Sequence, residues 1–190
     1  MAAEAGQARV LTTHARHGLI LAGLLASALS AGFFYTYSVS VMPGLTAADP
    51  SSAIRAMQGI NAVIRTPIFA FAFFGSLVFP LAASLAAWIG RARQVAVLAF
   101  LSAVLYGLGV FAVTFLVNVP LNEALASANP TSDTAASAWA NYYGPWTAWN
   151  HIRAVCASLA FGLFAAAAVI HFHRSSSGSA ASNAGRTDRP

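Results

Sequence analysis

Four long apolar runs constrain what this chain can fold into. Gly18 to Val41, about Pro67 to Ile89, and Val95 to Val117 contain no charged residue, and a fourth run from near Trp149 to near Phe172 contains only Arg153. A bilayer core of about 30 Å is crossed by roughly 20 helical residues, and inside it every backbone N–H and C=O must be bonded within the segment. Each run meets that length. The predicted fold is therefore all-α: one four-helix membrane domain over residues 1–174, with spans at about 18–41, 67–89, 95–117 and 149–172. Composition agrees, with 58% hydrophobic and 8% charged residues, against about 25% charged in a soluble domain. The first run holds 24 residues, beyond the roughly 7–15 of a signal-peptide core, and is read as a retained helix. Residues 175–190, rich in Ser, Ala and Gly, have no apolar anchor and are expected to be disordered.

Every basic residue is arginine, and the formal charge is +5 with a sequence pI of about 10.2. The arginines are scattered singly and mostly flank the apolar runs. No basic stripe or stacking platform for nucleic acid appears. Arg9 and Arg16 precede the first span, Arg91 and Arg93 lie in the short loop from Gly90 to Gln94, and Arg174, Arg186 and Arg189 follow the fourth. Arginine bias places both termini and that loop in the cytoplasm of a multi-pass cell-membrane protein. The loops 42–66 and 118–148 then face outward. The short loop makes spans two and three an antiparallel hairpin. Gly23, Ser27 and Ala31 on the first span, and Ala154, Ser158, Gly162 and Ala166 on the fourth, are small-residue ladders that suit close helix contact. They also suit a homo-oligomer. Pro80 is expected to kink the second span. Cys156, alone in an apolar helix, reads as a small packing residue.

The polar residues gather in the outward loops. Asp49 and Pro50 read as cap and first position of a short helix reaching about Arg65, with Gln58, Asn61 and Arg65 on one face. Asn118-Val119-Pro120-Leu121-Asn122 puts two asparagines one turn apart if the third helix continues. Thr131 to Asp133 starts a helix with Trp139, Tyr142 and Tyr143, which Gly144-Pro145 should break. Trp146, Asn150 and Arg153 then share a face of the fourth helix. Each has an ordinary reading: aromatic belt for the rings, a snorkelling Arg153, helix caps for Asn118 and Asn122, an interfacial His151. Their co-location is the feature that points to a site, because polar groups at membrane depth are costly unless paired. Tyr106 is expected to find a hydrogen bond inside the bundle, whereas Tyr35 and Tyr37 suit either a belt or a pocket wall. His14, His17, His171 and His173 share the other membrane face, where an axial haem pair is conceivable without further haem signals. No span carries a carboxylate, so neither a bridged metal site nor a proton relay is expected.

Gly32-Phe33-Phe34, Val41-Met42-Pro43-Gly44-Leu45, Met57-Gln58-Gly59-Ile60-Asn61, Asn118-Val119-Pro120-Leu121-Asn122 and the series Trp139, Tyr142, Trp146, Asn150, His151, Arg153 together resemble the anthrone oxygenase-like family of small four-helix membrane proteins. The likeness covers about residues 18–172. It implies oxidation of an anthrone or related polyphenol by molecular oxygen, with no cofactor and no metal. His151 is then the expected base and Arg153 the partner of the enolate charge. Asn61, Asn118, Asn122 and Asn150 would orient oxygen functions, and Trp146 and Trp149 would stack on the rings; Arg65, Trp139 and Tyr142 complete the expected substrate-binding set. His151 and Arg153 are two apart and do not share a helix face, so Arg153 with Asn150 is the stronger pair. The expected partners are the lipid bilayer and a small apolar or aromatic molecule, and no nucleic acid. The rival class is a non-enzymatic membrane protein that binds a lipid, a quinone or a partner subunit, and turnover of an aromatic substrate separates the two.

Reporter fusions test the orientation. Fusions within Gly90 to Gln94 and after Arg174 should report cytoplasm, and fusions near Asp49 and Asp133 the outside; the inverse pattern overturns it.

Overall fold

The computed structural model describes the backbone of residues 2–187 and the side chains of residues 15–176. Four helical stretches are long and apolar enough to cross a membrane: Ala15–Ala47, Pro67–Ile89, Arg93–Ala126 and Ala135–Ser176. No strand occurs among the described residues. The chain is a multi-pass, all-α membrane protein.

The first stretch is α1 (Ala2–Thr36), a π-helical turn at Tyr37–Val41, and α2 (Met42–Ala47). Next come α3 (Pro50–Val63) and the second span, α4 (Pro67–Ile89). The third stretch is α5 (Arg93–Tyr106), two π-helical turns at Gly107–Ala112 and Thr114–Asn118, and α6 (Val119–Ala126). The last is α7 (Ala135–Thr187). Most of the expected disordered tail, from Ser177 onward, lies outside the described side chains, as does His14.

Local chemistry sets the starts and stops. The Asp49 carboxylate accepts the Ser52 N–H at 3.0 Å and Pro50 opens α3, as the sequence anticipates. Hydrogen bonding from Ser52 holds that carboxyl below its usual range. Thr66 caps α4 in the same way, accepting the Phe69 N–H at 3.2 Å. The third span runs through Pro120 to Ala126, so Asn118 and Asn122 do sit one turn apart on continuous helix. The expected break at Gly144-Pro145 does not occur, since α7 passes through Pro145. Pro145 is exposed, and a proline can stay within a long helix whose faces are held by neighbours.

α1 packs on α4 and α7, and α5 packs on α4 and α7, which gives a square bundle with α1 and α5 on one diagonal. Its outside is large and aliphatic: Leu21, Leu25, Val78, Leu85, Leu108, Leu159 and Val169 are all exposed to the surroundings. Its inside is small and aromatic, with Ala26, Ala99, Ala103, Ala157 and Ala167 against Phe34, Phe73, Tyr106 and Phe164. Between helices in lipid, close packing replaces the hydrophobic effect as the cohesive force. Gly23 and Ser27 are buried on α1 as expected, and a Cβ at Gly23 would meet Phe164 at 2.6 Å and Phe79 at 2.8 Å. The ladder expected on α7 is a correction: Ser158, Gly162 and Ala166 face outward, and Ala154, Ala157, Ala160 and Phe164 form the packed stripe. Small residues occur on both faces of this Ala-rich helix, so size alone does not choose the face. Arg153 and Asn150 choose it, because neither can face lipid.

Polar pairs lock the interior. Ser30 and Tyr106 hydroxyls bond at 2.8 Å between α1 and α5, and Ser102 donates to the Ala160 carbonyl at 2.7 Å. Tyr106 thus has the interior partner its sequence position called for. Cys156 sits against Gly109, where a Cβ would collide with its side chain. Gly109→Leu should therefore overpack the contact between α7 and the π-helical turn Gly107–Ala112 and cost about 1–3 kcal/mol. Gly162→Leu, with nothing within 4 Å, should move stability by no more than about 0.5 kcal/mol. Thermal unfolding of the two variants in detergent checks the difference.

Candidate functional site

At the end of the bundle opposite the α4–α5 loop, a cavity of about 830 Å³ opens between α1, α3, α4, α6 and α7. That volume falls in the range of small-molecule pockets, roughly 300–1,000 Å³. Its walls are aromatic: Phe33, Phe34 and Tyr37 from the first span, Phe69, Phe73 and Phe74 from α4, Phe115 from the third span, and Trp146 from α7. The rings touch in series, with Phe69 on Phe73 at 5.6 Å and near-parallel, Phe33 on Phe69 at 5.2 Å, and Tyr37 on Trp146 at 5.5 Å. Polar groups enter from α3 (Gln58 and Asn61), from the segment between α3 and α4 (Arg65), and from α6 (Asn122 and Glu123).

The inner end carries Arg153. It is 4% exposed, and no carboxylate pairs with it among the described residues. Its Nη2 donates to Asn150 Oδ1 at 3.0 Å and its Nη1 to Thr114 Oγ1 at 3.2 Å. Its Nε has no protein acceptor. The guanidinium carbon lies 4.8 Å from the Phe34 ring and 5.0 Å from the Trp146 ring, so two π faces share in solvating the cation. A buried, unpaired charge costs several kcal/mol. Here neutral acceptors and ring faces meet part of that cost, and Arg153 itself lines the cavity.

Asn150 holds Arg153 in place. It is fully buried; its Nδ2 donates to the Phe34 carbonyl at 3.0 Å and to Ser38 Oγ at 2.8 Å, while its Oδ1 takes the arginine. Ser38 and Thr114 both lie on π-helical turns, a local widening that often marks functional sites. Asn122 makes a second node, where its Oδ1 accepts both Tyr142 Oη and Trp146 Nε1 at 2.8 Å. This fixes the indole that stacks near Arg153. Asn118 is buried and donates to the Trp146 carbonyl at 3.2 Å, with Oδ1 unpartnered. Gln58 donates to the Leu125 and Ala128 carbonyls at 2.9 and 3.0 Å, tying α3 to the end of α6.

The expected site residues therefore separate into three groups. Asn61, Arg65, Asn122, Trp146 and Arg153 line the cavity. Asn118, Asn150, Trp139 and Tyr142 lie behind its wall and are buried. Trp139 packs on Tyr142 with ring centroids 5.6 Å apart. His151 and Trp149 are not brought to the cavity: His151 is exposed, and Trp149 is 38% exposed. The reason is helical phase, since each residue advances about 100°, and burying Trp146, Asn150 and Arg153 turns His151 outward. Tyr37 is a wall residue and Tyr35 faces outward. The sequence reading missed the phenylalanine wall and Glu123. Each phenylalanine sits in an apolar run where a lipid-facing ring looks the same. Glu123 follows Asn122 directly and is the one acidic residue lining the cavity among those described. No group of three or more potential metal ligands occurs among the described residues.

The family model described as anthrone oxygenase matches residues 68–163, just over half of the chain. The matched segment holds Phe73, Phe115, Asn118, Asn122, Trp146, Asn150 and Arg153, whereas Phe33, Tyr37, Asn61 and Arg65 lie before it. Comparison with curated proteins and with solved structures gives no match. With a family match over the segment that supplies the buried arginine and both of its asparagine nodes, the chain belongs to the anthrone oxygenase family.

Proposed function

We propose that the aromatic cavity binds a flat polycyclic phenol or anthrone and that Arg153 stabilises its enolate during oxidation by molecular oxygen. The observation that carries this reading is the placement of Arg153: a buried cation without a carboxylate, at the inner end of a pocket walled by rings. An anionic oxygen on an aromatic ligand supplies what that cation lacks. Preorganised donors aimed at developing charge act strongly in a water-excluded site. Stacking against Phe33, Phe69, Phe73 and Trp146 would orient the ring system, and Asn61, which lines the cavity, would meet a second oxygen function. The rim residues Phe74 and Phe115 are exposed on the lipid-facing side, which suits a ligand that partitions from the bilayer.

The reaction balances without a resident redox group. The methylene carbon of the anthrone loses a proton and the carbonyl becomes an enolate held by Arg153. One electron passes from the enolate to oxygen, and the two radicals combine to form a C–O bond and a hydroperoxide. Loss of the second hydrogen as a proton, with cleavage of the O–O bond and release of hydroxide, leaves a second carbonyl. One oxygen molecule is consumed and one water formed. His151 is too far around the helix to take the first proton. Water at the polar mouth, beside Glu123 and Arg65, is the acceptor this geometry favours. The end that bears the mouth, opposite the α4–α5 loop, would face outward by the arginine bias.

Oxygen uptake tests the proposal. Purified protein in detergent should accelerate uptake by a hydroxyanthrone, and chelator should leave the rate unchanged. Arg153→Met should lower it by about 10²–10³. Arg153→Lys should retain part of it, since the charge stays but the two-pronged geometry goes. His151→Ala should change it little. No acceleration over detergent alone, across several anthrones and quinols, overturns the enzymatic reading in favour of a binding protein.

A further inference from the structure

The bundle has a second cavity, at the end that carries the α4–α5 loop and the last turns of α7. Its volume is about 190 Å³. Arg16, Arg174 and His171 line it, together with an apolar floor that includes Ile20, Ala83 and Val95. Three observations set it apart from a generic basic membrane edge. First, the lining His171 meets His17 just behind it, edge to face with ring centroids 5.4 Å apart, and the Nε2 of each is buried without a hydrogen-bond partner. Second, Arg174 is positioned, its Nη2 donating to Gln94 Oε1 at 3.2 Å, and Arg16 Nη1 lies beside Gly90 at the end of α4. Third, the carboxylates with described side chains, Asp49, Glu123 and Asp133, all lie in the loops of the opposite end. Among the described residues, the cations that line this pocket therefore have no carboxylate partner at their own level.

We propose that this pocket binds the phosphate of an anionic phospholipid from the adjacent leaflet. The proposal is independent of the oxidation chemistry. Arginine and imidazole N–H groups match phosphate oxygens, and a pocket this small holds a phosphate and its first carbons but no polycyclic ring. The lipid is favoured over free phosphate by the floor, since Ala83, Ala87 and Val95 continue the pocket into the apolar spans where an acyl chain would lie. Basic pockets between membrane helices are a recurrent headgroup site. Arg91 and Arg93 share this end but do not line the pocket. Arg93 is already engaged, its guanidinium 3.6 Å from the Trp88 ring.

Native mass spectrometry of the full chain released from detergent tests this, with dioleoylphosphatidylglycerol, dioleoylphosphatidylcholine and inorganic phosphate as probes. One phosphatidylglycerol per chain should be retained at least about tenfold over phosphatidylcholine. Arg16→Gln with Arg174→Gln should abolish that preference, and Arg91→Gln with Arg93→Gln should leave it. Ala87→Leu, which fills the floor and keeps every cation, should also expel the lipid, so loss of charge and loss of space are read separately. Equal retention of the two lipids overturns the proposal. Equal loss from both arginine pairs overturns it in favour of diffuse surface attraction. Binding of inorganic phosphate that displaces the lipid assigns the pocket to a free anion and overturns the lipid source.

Discussion

The burial of one guanidinium governs the end of the bundle opposite the α4–α5 loop. A cation at the edge of a lipid-embedded bundle is tolerated only if the surroundings replace water. Around Arg153 that replacement comes from Asn150, Thr114 and the faces of Phe34 and Trp146. Asn150 can serve because it is tied in turn to the Phe34 carbonyl and Ser38. The chain of constraint thus runs from α7 to the first span, through a residue with no exposed surface. It also dictates which face of α7 turns inward, and with it the placing of Ala157, Ala160 and Phe164 in the core.

A second asparagine organises the polar cap above the lipid. Asn122 receives two donors from α7, one from a phenol and one from an indole, which closes the end of the third span against the fourth. Gln58 repeats the device from α3, satisfying carbonyls that the end of α6 would leave open. Beside them, Asn61, Arg65 and Glu123 line the cavity. Structural and cavity-facing polar residues are therefore interleaved on the same short helices.

The opposite end obeys the same electrostatics with a different outcome. There the described arginines are exposed, and Arg16 and Arg174 join His171 around a small pocket. The long apolar surface between the two ends carries no charge, so each end must satisfy its cations locally. One end does so around a buried cation with neutral acceptors and rings, and the other with an amide oxygen for Arg174 and a ring face for Arg93.

The sequence by itself determined the spans, because their length and freedom from charge leave few alternatives in a bilayer. It also determined the cap at Asp49, the one-turn spacing of Asn118 and Asn122, and the shared face of Trp146, Asn150 and Arg153, since these follow from helical period and local chemistry. Only the tertiary structure decided which small residues of α7 pack, because an Ala-rich helix offers several equivalent faces. It decided that α7 runs through Pro145, where neighbours outweigh a local breaker. It decided that Asn150 anchors the arginine while Asn61 lines the cavity, since an asparagine looks the same in sequence in either place. Finally, it brought Phe33, Phe73 and Phe115 to one wall from three spans. A phenylalanine in an apolar run gains from lipid and from a pocket alike, and only the packing of the helices separates the two.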